Sequence, residues 1–262
     1  MKRTLIALAL LVFVLPLSAC GSQAKVSETQ SQEAKVQKKA QDDSALIKKN
    51  QTKWSQLTKG VETVDGDGFS GDYVSIPMTL KELKKSHDKS SATIKGTVYN
   101  LEQMSAPKNM VWTKATIHID KILSGDKSIV GKNYYVVLRG GLTTSDVFYA
   151  DTNHTKEADH KILVRNPEAP LPQIGTKIIT NISKNQQPDG TEYSKILEKS
   201  GFTKQKTRVI QNLQYNFWVK APGASEYILN NPQIQNKKDT SEDYLAGGLQ
   251  NLTKEINQKY NK

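Results

Sequence analysis

The sequence has 262 residues, of which 36% are apolar, and it carries a formal net charge of +11. This length can bury one sizeable core, or at most two. The single cysteine, Cys20, excludes a disulfide framework. Only three arginines follow Cys20, and no recognition helix or RNP-like motif is found, so the composition argues against nucleic acid as a partner.

The first twenty residues have the parts of a secretory signal. Met1-Lys2-Arg3 is cationic, residues 5–17 are apolar, and small residues precede Cys20. The apolar run is too short for a helix that spans a bilayer, which needs about 20 residues. We predict that residues 1–19 are a signal peptide. Its removal would lower the net charge from +11 to +9, because two basic residues and no acid are lost.

The next segment, residues 20–53, is polar. It is rich in Gln, Lys, Ser and Ala and contains no aromatic residue. This composition predicts a solvated flexible tether with a reach of roughly 30 Å. A polar helix around residues 33–49 is the alternative, because Gln, Lys and Ala tolerate helical structure.

A β-rich domain is predicted over residues 54–236. Residues 92–101 and 111–123 alternate apolar and polar side chains, which is the pattern of half-buried strands. Short strands separated by turns are typical of a small OB-like barrel or a sandwich, so we predict a mainly β fold. Further strand-like runs occur at residues 133–139, 147–150, 161–164, 177–182 and 208–220.

Two helical patterns accompany this domain. A capping box predicts a short N-terminal helix over residues 79–86. The C-terminal segment, residues 237–262, predicts an amphipathic helix capped by Thr240, with Asp243 at the fourth place of the box. We expect this helix to pack on the β-domain, and a partner-binding helix is the alternative. The apolar residues that recur at helical spacing are Leu245, Leu249, Leu252, Ile256 and Tyr260.

Two sequence features resemble known bacterial lipoproteins. Leu17-Ser18-Ala19-Cys20 resembles a lipobox, which implies a diacylglyceryl group on the Cys20 sulfur and cleavage before this residue. Two acyl chains give stable anchoring where one would not. Gly96-Thr97-Val98, the run Leu123-Ser124-Gly125-Asp126 and Gly140-Gly141 are together similar to a poorly characterised group of surface lipoproteins, Gram-positive ones in particular. The resemblance covers roughly residues 78–183 and implies an OB-like barrel.

Two sets of residues are candidates for binding. Tyr134, Tyr135 and Trp218 could line a ligand groove, with ordinary core packing as the alternative. His154, Glu157 and His160 have the spacing of metal ligands on a helix. That stretch has no apolar periodicity and is predicted to be a loop, so we predict neither a metal nor another cofactor.

The motifs of catalysis are missing. There is no nucleophile elbow and no His-Glu-x-x-His pair, and the only thiol is assigned to lipid. We therefore expect a binding or envelope-associated module on the extracytoplasmic face of the membrane, held there by its lipid. An anionic cell-wall polymer or an envelope protein is the expected partner. The alternatives are a cell-envelope hydrolase, which could depend on a metal held by the histidine loop, and a structural partner of a membrane complex.

Overall fold

The structure is a computed structural model that describes residues 23–68, 76–85, 91–239 and 241–261. The chain divides into two compact units, Met1–Ser44 and Ala45–Lys262. The second unit contains both sheets and the hydrophobic core.

The polar segment is helical rather than a flexible tether. Helix α1 runs without interruption over Gln23–Thr58, so the predicted boundary at residue 53 falls within it. No glycine or proline interrupts this stretch, and Gly60, at a φ of +73°, follows its end. The last turns are also fixed by tertiary contacts, because Ile47 and Trp54 pack against the core. Residues 20–22 lie outside the described part of the chain.

The main sheet is antiparallel, with the order β10-β9-β7-β2-β3-β4 and with β8 attached to β7. The predicted strands at 92–101, 111–123, 133–139 and 177–182 are confirmed. The strand bounds are β2 Ala92–Gln103, β3 Trp112–Gly125, β4 Asn133–Arg139, β7 Lys177–Lys184, β8 Arg208–Val209, β9 Phe217–Lys220 and β10 Ile228–Leu229.

This sheet does not form the closed barrel that the sequence analysis predicted as one of two architectures. β8 pairs with β7 through Ser183 and Val209, and the residue before β8, Thr207, forms a single parallel bridge to Tyr135 on β4. Strands β8, β7, β2, β3 and β4 are paired in this order, and a single bridge, rather than a ladder of hydrogen bonds, connects the residue before β8 with β4. The mainly β class with a short helix and a C-terminal helix is therefore confirmed, and closure is only partial.

A smaller sheet has the order β1-β6-β5. It contains β1 (Glu62–Asp65), β5 (Gly141–Thr144) and β6 (Lys161–Arg165), and β1 lies parallel to β6. The predicted strand at 161–164 is confirmed. The strand predicted at 147–150 is wrong, because helix α3 occupies Ser145–Phe148. Asp146 in its first turn favours a helix start, and Phe148 packs against a small cluster with Val111, Ile162 and Val164.

The run at 208–220 forms two strands instead of one. β8 ends at Val209 and β9 begins at Phe217. Asn212 lies between them at a φ of +49°, which an asparagine accepts more readily than most residues. The Asn216 side-chain amide donates to the Gln211 carbonyl and closes this turn at 3.3 Å.

Alternate residues of the main strands form the interior. The predicted inward face of the strand at 111–123 is confirmed, because its five side chains are buried, four of them on β3 and one, Val111, directly before it. Burial of such apolar side chains is the main stabilising term of the fold, at about 25 cal/mol per Å². These five residues are Val111, Thr113, Ala115, Ile117 and Ile119.

Helices cover the outer face of the sheet. α2 (Leu80–Lys85) and α6 (Tyr244–Tyr260) pack there around Trp218. The prediction that the C-terminal helix packs on the β-domain is confirmed, since Leu249, Leu252 and Ile256 are fully buried. Asp243 itself caps α6 through the Ala246 amide, and Thr240 lies outside the described residues. The remaining helices are a 3₁₀ turn at Lys127–Ile129, α4 Glu192–Lys199 and α5 Pro232–Gln235.

Candidate functional site

An apolar groove lies between the end of α1, the small sheet and the segment that precedes β7. Its volume is about 540 Å³, within the range of roughly 300–1,000 Å³ that is usual for ligand sites. The side chains that form it are mostly apolar, and polar groups stand at its margins. The lining residues are Gln51, Trp54, Ser55, Thr58, Thr63, Leu101, Leu163, Val164, Arg165, Pro170, Leu171, Pro172, Gln173 and Ile174.

The helical wall of the groove is fixed by side-chain hydrogen bonds to the β-domain. Asn50 Nδ2 donates to the Tyr99 carbonyl at 2.9 Å, and Gln51 Nε2 donates to the Ile174 carbonyl at 2.7 Å. Gly175 allows this close approach, because a Cβ there would lie 3.1 Å from Gln51 Nε2 at a φ of +93°. Trp54, on the next turn, is therefore held half-buried with part of its indole facing the groove.

The opposite wall, residues 170–174, has no regular structure but is tied down at both ends. Asn230 Nδ2 donates to the Pro170 carbonyl at 2.7 Å. At the other end, the Gly175 amide donates to the Val98 carbonyl at 2.7 Å. Pro170 and Pro172 restrict the backbone further. The groove thus lies between two rigid walls, and an occupant would need little rearrangement of the protein.

The third side of the groove is the small sheet. Arg165 makes two hydrogen bonds to Asp65, from Nε at 2.7 Å and from Nη2 at 3.0 Å. The hydrogen bond from Arg165 lowers the pKa of Asp65. Thr63 of β1 lines the groove, and in the part of the chain that the structure describes β1 pairs only with β6. An edge strand with unpaired backbone groups therefore borders the groove.

The groove is built for contact rather than for proton transfer. Of its lining residues, Arg165 alone is titratable, and it is already paired with Asp65. General acid–base catalysis needs a group whose pKa lies near the working pH, and arginine does not provide one. The lining therefore offers no group for general acid–base catalysis, and its apolar side chains support binding of an apolar group.

The aromatic residues expected to bind a ligand are placed apart. Trp218 is fully buried, and its indole nitrogen donates to Thr253 Oγ1 at 2.9 Å. Tyr134 is buried in the hydrophobic core, with the Arg208 guanidinium 4.1 Å from its ring centroid. Tyr135 is half-buried on the outer face, in edge contact with Phe202. The three side chains therefore do not share a groove. Tyr134 and Trp218 pack in the core, which was the alternative to ligand binding in the sequence analysis.

The outer face of β3 and β4 is covered by the connection between β7 and β8. OB-like barrels commonly bind ligands on this face. Here Tyr193 of α4 contacts Trp112 with ring centroids 5.5 Å apart, and Lys114 Nζ donates to the Ser200 carbonyl at 3.0 Å. The same ammonium lies 4.2 Å from the ring centroid of Tyr135. This packing covers Trp112 and Tyr135 on the outer face of the two strands.

The histidine loop does not gather its three side chains. His160 lies 3.7 Å from Glu157 and 3.1 Å from Glu62, whereas His154 stacks on the Tyr149 ring. Within residues 23–68, 76–85, 91–239 and 241–261, no group of three His, Cys, Asp or Glu side chains could hold a metal ion. The geometry therefore gives the hydrolase interpretation no metal centre in this region.

Cys20 and the predicted signal peptide lie outside the described residues. Among the helices that the structure does describe, none combines the length and the apolar character required to cross a membrane. The apolar face of α6 is buried against the sheet.

Sequence reasoning missed the groove, although Trp54 was marked as the start of the domain. The closely spaced Pro170-Leu171-Pro172 run was the available signal, because two prolines restrict the backbone around Leu171 and disfavour regular structure there. Its pairing with α1 depends on contacts more than 100 residues apart and has no local signature.

Comparison of the chain with family models, with curated proteins and with solved structures found no match. The groove and the surface charges of the chain are therefore the features that bear on its function.

Proposed function

We propose that this chain is a non-catalytic binding protein of the bacterial cell envelope, lipid-anchored through Cys20 on the extracytoplasmic face. The observation that carries the binding role is the rigid apolar groove beside Trp54, with no titratable group in its lining except a paired arginine. The lipobox-like run before Cys20 supports the location.

The ligand class we propose is an extended peptide segment that presents a large apolar side chain. The volume of about 540 Å³ can accept such a group. The exposed edge of β1, which borders the groove at Thr63, could add main-chain hydrogen bonds by strand addition. Apolar contact would then supply affinity, and strand pairing would fix the direction of the peptide.

The test of the groove is a selection from random dodecapeptides displayed on phage. Wild type and Leu171→Asp would be used as separate baits, with Val130→Asp as the matched control, since Val130 is 49% exposed and does not line the groove. We expect the selected peptides to carry an apolar anchor and to bind wild type and Val130→Asp with similar affinity. Their affinity for Leu171→Asp should be at least tenfold lower than for wild type. Thermal melting of all three proteins checks that they fold.

Peptides that bind Leu171→Asp as well as wild type, or no enrichment on wild type, would contradict the proposed groove function. A second substitution, Gln173→Arg, places a charge at the exposed rim without touching the core. If Leu171→Asp melts early, this variant keeps the test decisive.

The location has its own test. Intact mass and membrane fractionation of wild type and Cys20→Ala would show whether the mature chain begins at Cys20 with a diacylglyceryl group. We expect wild type in the membrane fraction and Cys20→Ala in the soluble extracytoplasmic fraction. An unchanged mass and fraction in Cys20→Ala would exclude the lipid anchor while leaving the groove result standing.

A further inference from the structure

Four lysines gather on the outer face of the main sheet, where helix α6 ends. They are Lys95 on β2, Lys121 on β3, Lys177 on β7 and Lys220 on β9, and we call them the lysine cluster. Lys177 lies directly opposite Lys220 in the β7–β9 pair, and Lys95 lies directly opposite Lys121 in the β2–β3 pair. Directly opposed residues of antiparallel strands point to the same side of the sheet.

Like charges in this arrangement destabilise a sheet. Among the described residues, the charges that act on Lys95 come from Lys177, Lys220 and Lys121, and Asp120 opposes them. Burial, followed by the charge of Lys177, lowers the pKa of Lys95. The repulsion within the two lysine pairs does not stabilise the fold. Local conflicts of this kind are expected at functional sites.

The cluster is also held in place. Lys95 Nζ donates to the Tyr260 carbonyl at the end of α6 at 3.1 Å, and Lys220 Nζ donates to Asn261 Oδ1 at 2.6 Å. These acceptors are neutral, so they orient the two ammonium groups without cancelling their charges.

Among the described residues, the carboxylate that opposes the charges on Lys95 is Asp120, and it sits at an irregularity of the sheet. A register shift between Lys95 and Gly96 leaves Asp120 as an extra residue on β3. Asp120 accepts from Thr97 Oγ1 at 2.6 Å and from Lys177 Nζ at 3.1 Å. One carboxylate against four ammonium groups leaves a net positive surface.

We propose that the lysine cluster binds a ligand that carries two or more phosphate groups. A multivalent anion would remove the repulsion within both opposed pairs at once. Lysine contacts phosphate as a point charge, so four neighbouring ammonium groups suit a ligand that carries several phosphates. This site does not depend on the groove beside Trp54, so either proposal can fail alone.

The test measures binding of inorganic tripolyphosphate by isothermal titration calorimetry at two salt concentrations. The variant Lys95→Gln/Lys177→Gln is compared with Lys132→Gln/Lys199→Gln, which has the same net charge and changes two exposed lysines elsewhere. At about fivefold per lysine, the cluster variant should bind roughly thirtyfold more weakly. The control should stay within about twofold of wild type, and the salt dependence should be shallower only in the cluster variant.

Two further arms identify the source of the phosphate. Sedimentation with vesicles that contain cardiolipin, whose headgroup carries two phosphates, against phosphatidylcholine vesicles tests a lipid source. Binding to long-chain polyphosphate tests a soluble source. Dependence on Lys95 and Lys177 in either arm supports the site and assigns its source. Equal losses of affinity in the cluster and control variants would overturn the proposal, because binding would then reflect only an unspecific charge effect. No binding of tripolyphosphate by wild type would also overturn it.

A stability measurement separates this proposal from a purely structural role. If the lysines serve only to cap α6 and to pair with Asp120, Lys95→Gln/Lys177→Gln should melt below wild type. If the opposed charges are retained for a ligand, the variant should melt at or above wild type without phosphate, and tripolyphosphate should raise only the wild-type Tm. A lower melting temperature of the variant in plain buffer, together with equal Tm gains from tripolyphosphate, would contradict the proposal.

Discussion

The contact between Trp218 and Thr253 provides a direct test of how α6 is docked. Trp218 is fully buried, and its indole nitrogen has Thr253 Oγ1 as its acceptor at 2.9 Å. Thr253→Val keeps the shape and the β-branching but removes the acceptor, so the indole N–H is left buried and unsatisfied. Such a loss costs about 1–3 kcal/mol. We therefore expect a decrease of about 2 kcal/mol in the free energy of unfolding.

Urea denaturation followed by tryptophan fluorescence would measure this change. For a folded unit of this size, about 2 kcal/mol corresponds to a Tm that is lower by about 4–8 °C. Thr253→Ser is the matched control, because it keeps the hydroxyl acceptor and should cost clearly less than Thr253→Val. Equal losses for the valine and serine variants would refute the reasoning, because the hydrogen bond would then contribute nothing.

Two other predictions concern a buried phenol and a glycine. The Tyr227 hydroxyl is buried without a hydrogen-bond partner among the described residues, so Tyr227→Phe should be neutral or stabilise by up to about 1 kcal/mol at pH 7 in urea denaturation. Burial raises the pKa of Tyr227 to about 12. In the unfolded chain a tyrosine deprotonates near pH 10, so the protonated phenol contributes its full stability below about pH 10, and this stability is lost as the pH rises towards 12. Between pH 8 and 11 the free energy of unfolding should therefore fall less steeply in Tyr227→Phe than in wild type. Identical pH profiles of the two proteins would argue against this origin. Gly175→Ala should cost about 1–3 kcal/mol, because alanine is strained at a φ of +93° and its Cβ crowds Gln51. Gly190→Ala, also at positive φ but with open space around it, is the control; a similar loss in both would show that backbone strain alone, without the crowding at α1, accounts for the effect.

Some elements of the fold could be predicted from local pattern. The alternation in β2 and β3 depends on neighbouring residues, and it gave both strands and the inward face of β3 close to their observed positions. The spacing of Leu249, Leu252 and Ile256 likewise predicted α6. The errors at 147–150 and 208–220 arose where a short apolar run does not distinguish a strand from a helix or a turn.

The polar segment before the domain shows the limit of composition. Gln, Lys and Ala fit both a tether and a helix, and the helical form was only the alternative. Part of the difference comes from Ile47 and Trp54, which dock the end of α1 on the core. Helices of polar sequence gain most of their stability from such packing rather than from propensity, so composition did not distinguish the two forms.

Short runs of neighbouring residues were enough to predict the mainly β class and the amphipathic C-terminal helix, and the lipid on Cys20 stays a prediction from the lipobox-like run. The two candidate sites, in contrast, could be located only in the folded chain. The groove joins Gln51 to Ile174, and the lysine cluster joins Lys95 to Lys220. Both sites depend on strand pairing and on contacts between distant segments. A one-residue change of strand register would move the side chains of that strand to the other face of the sheet.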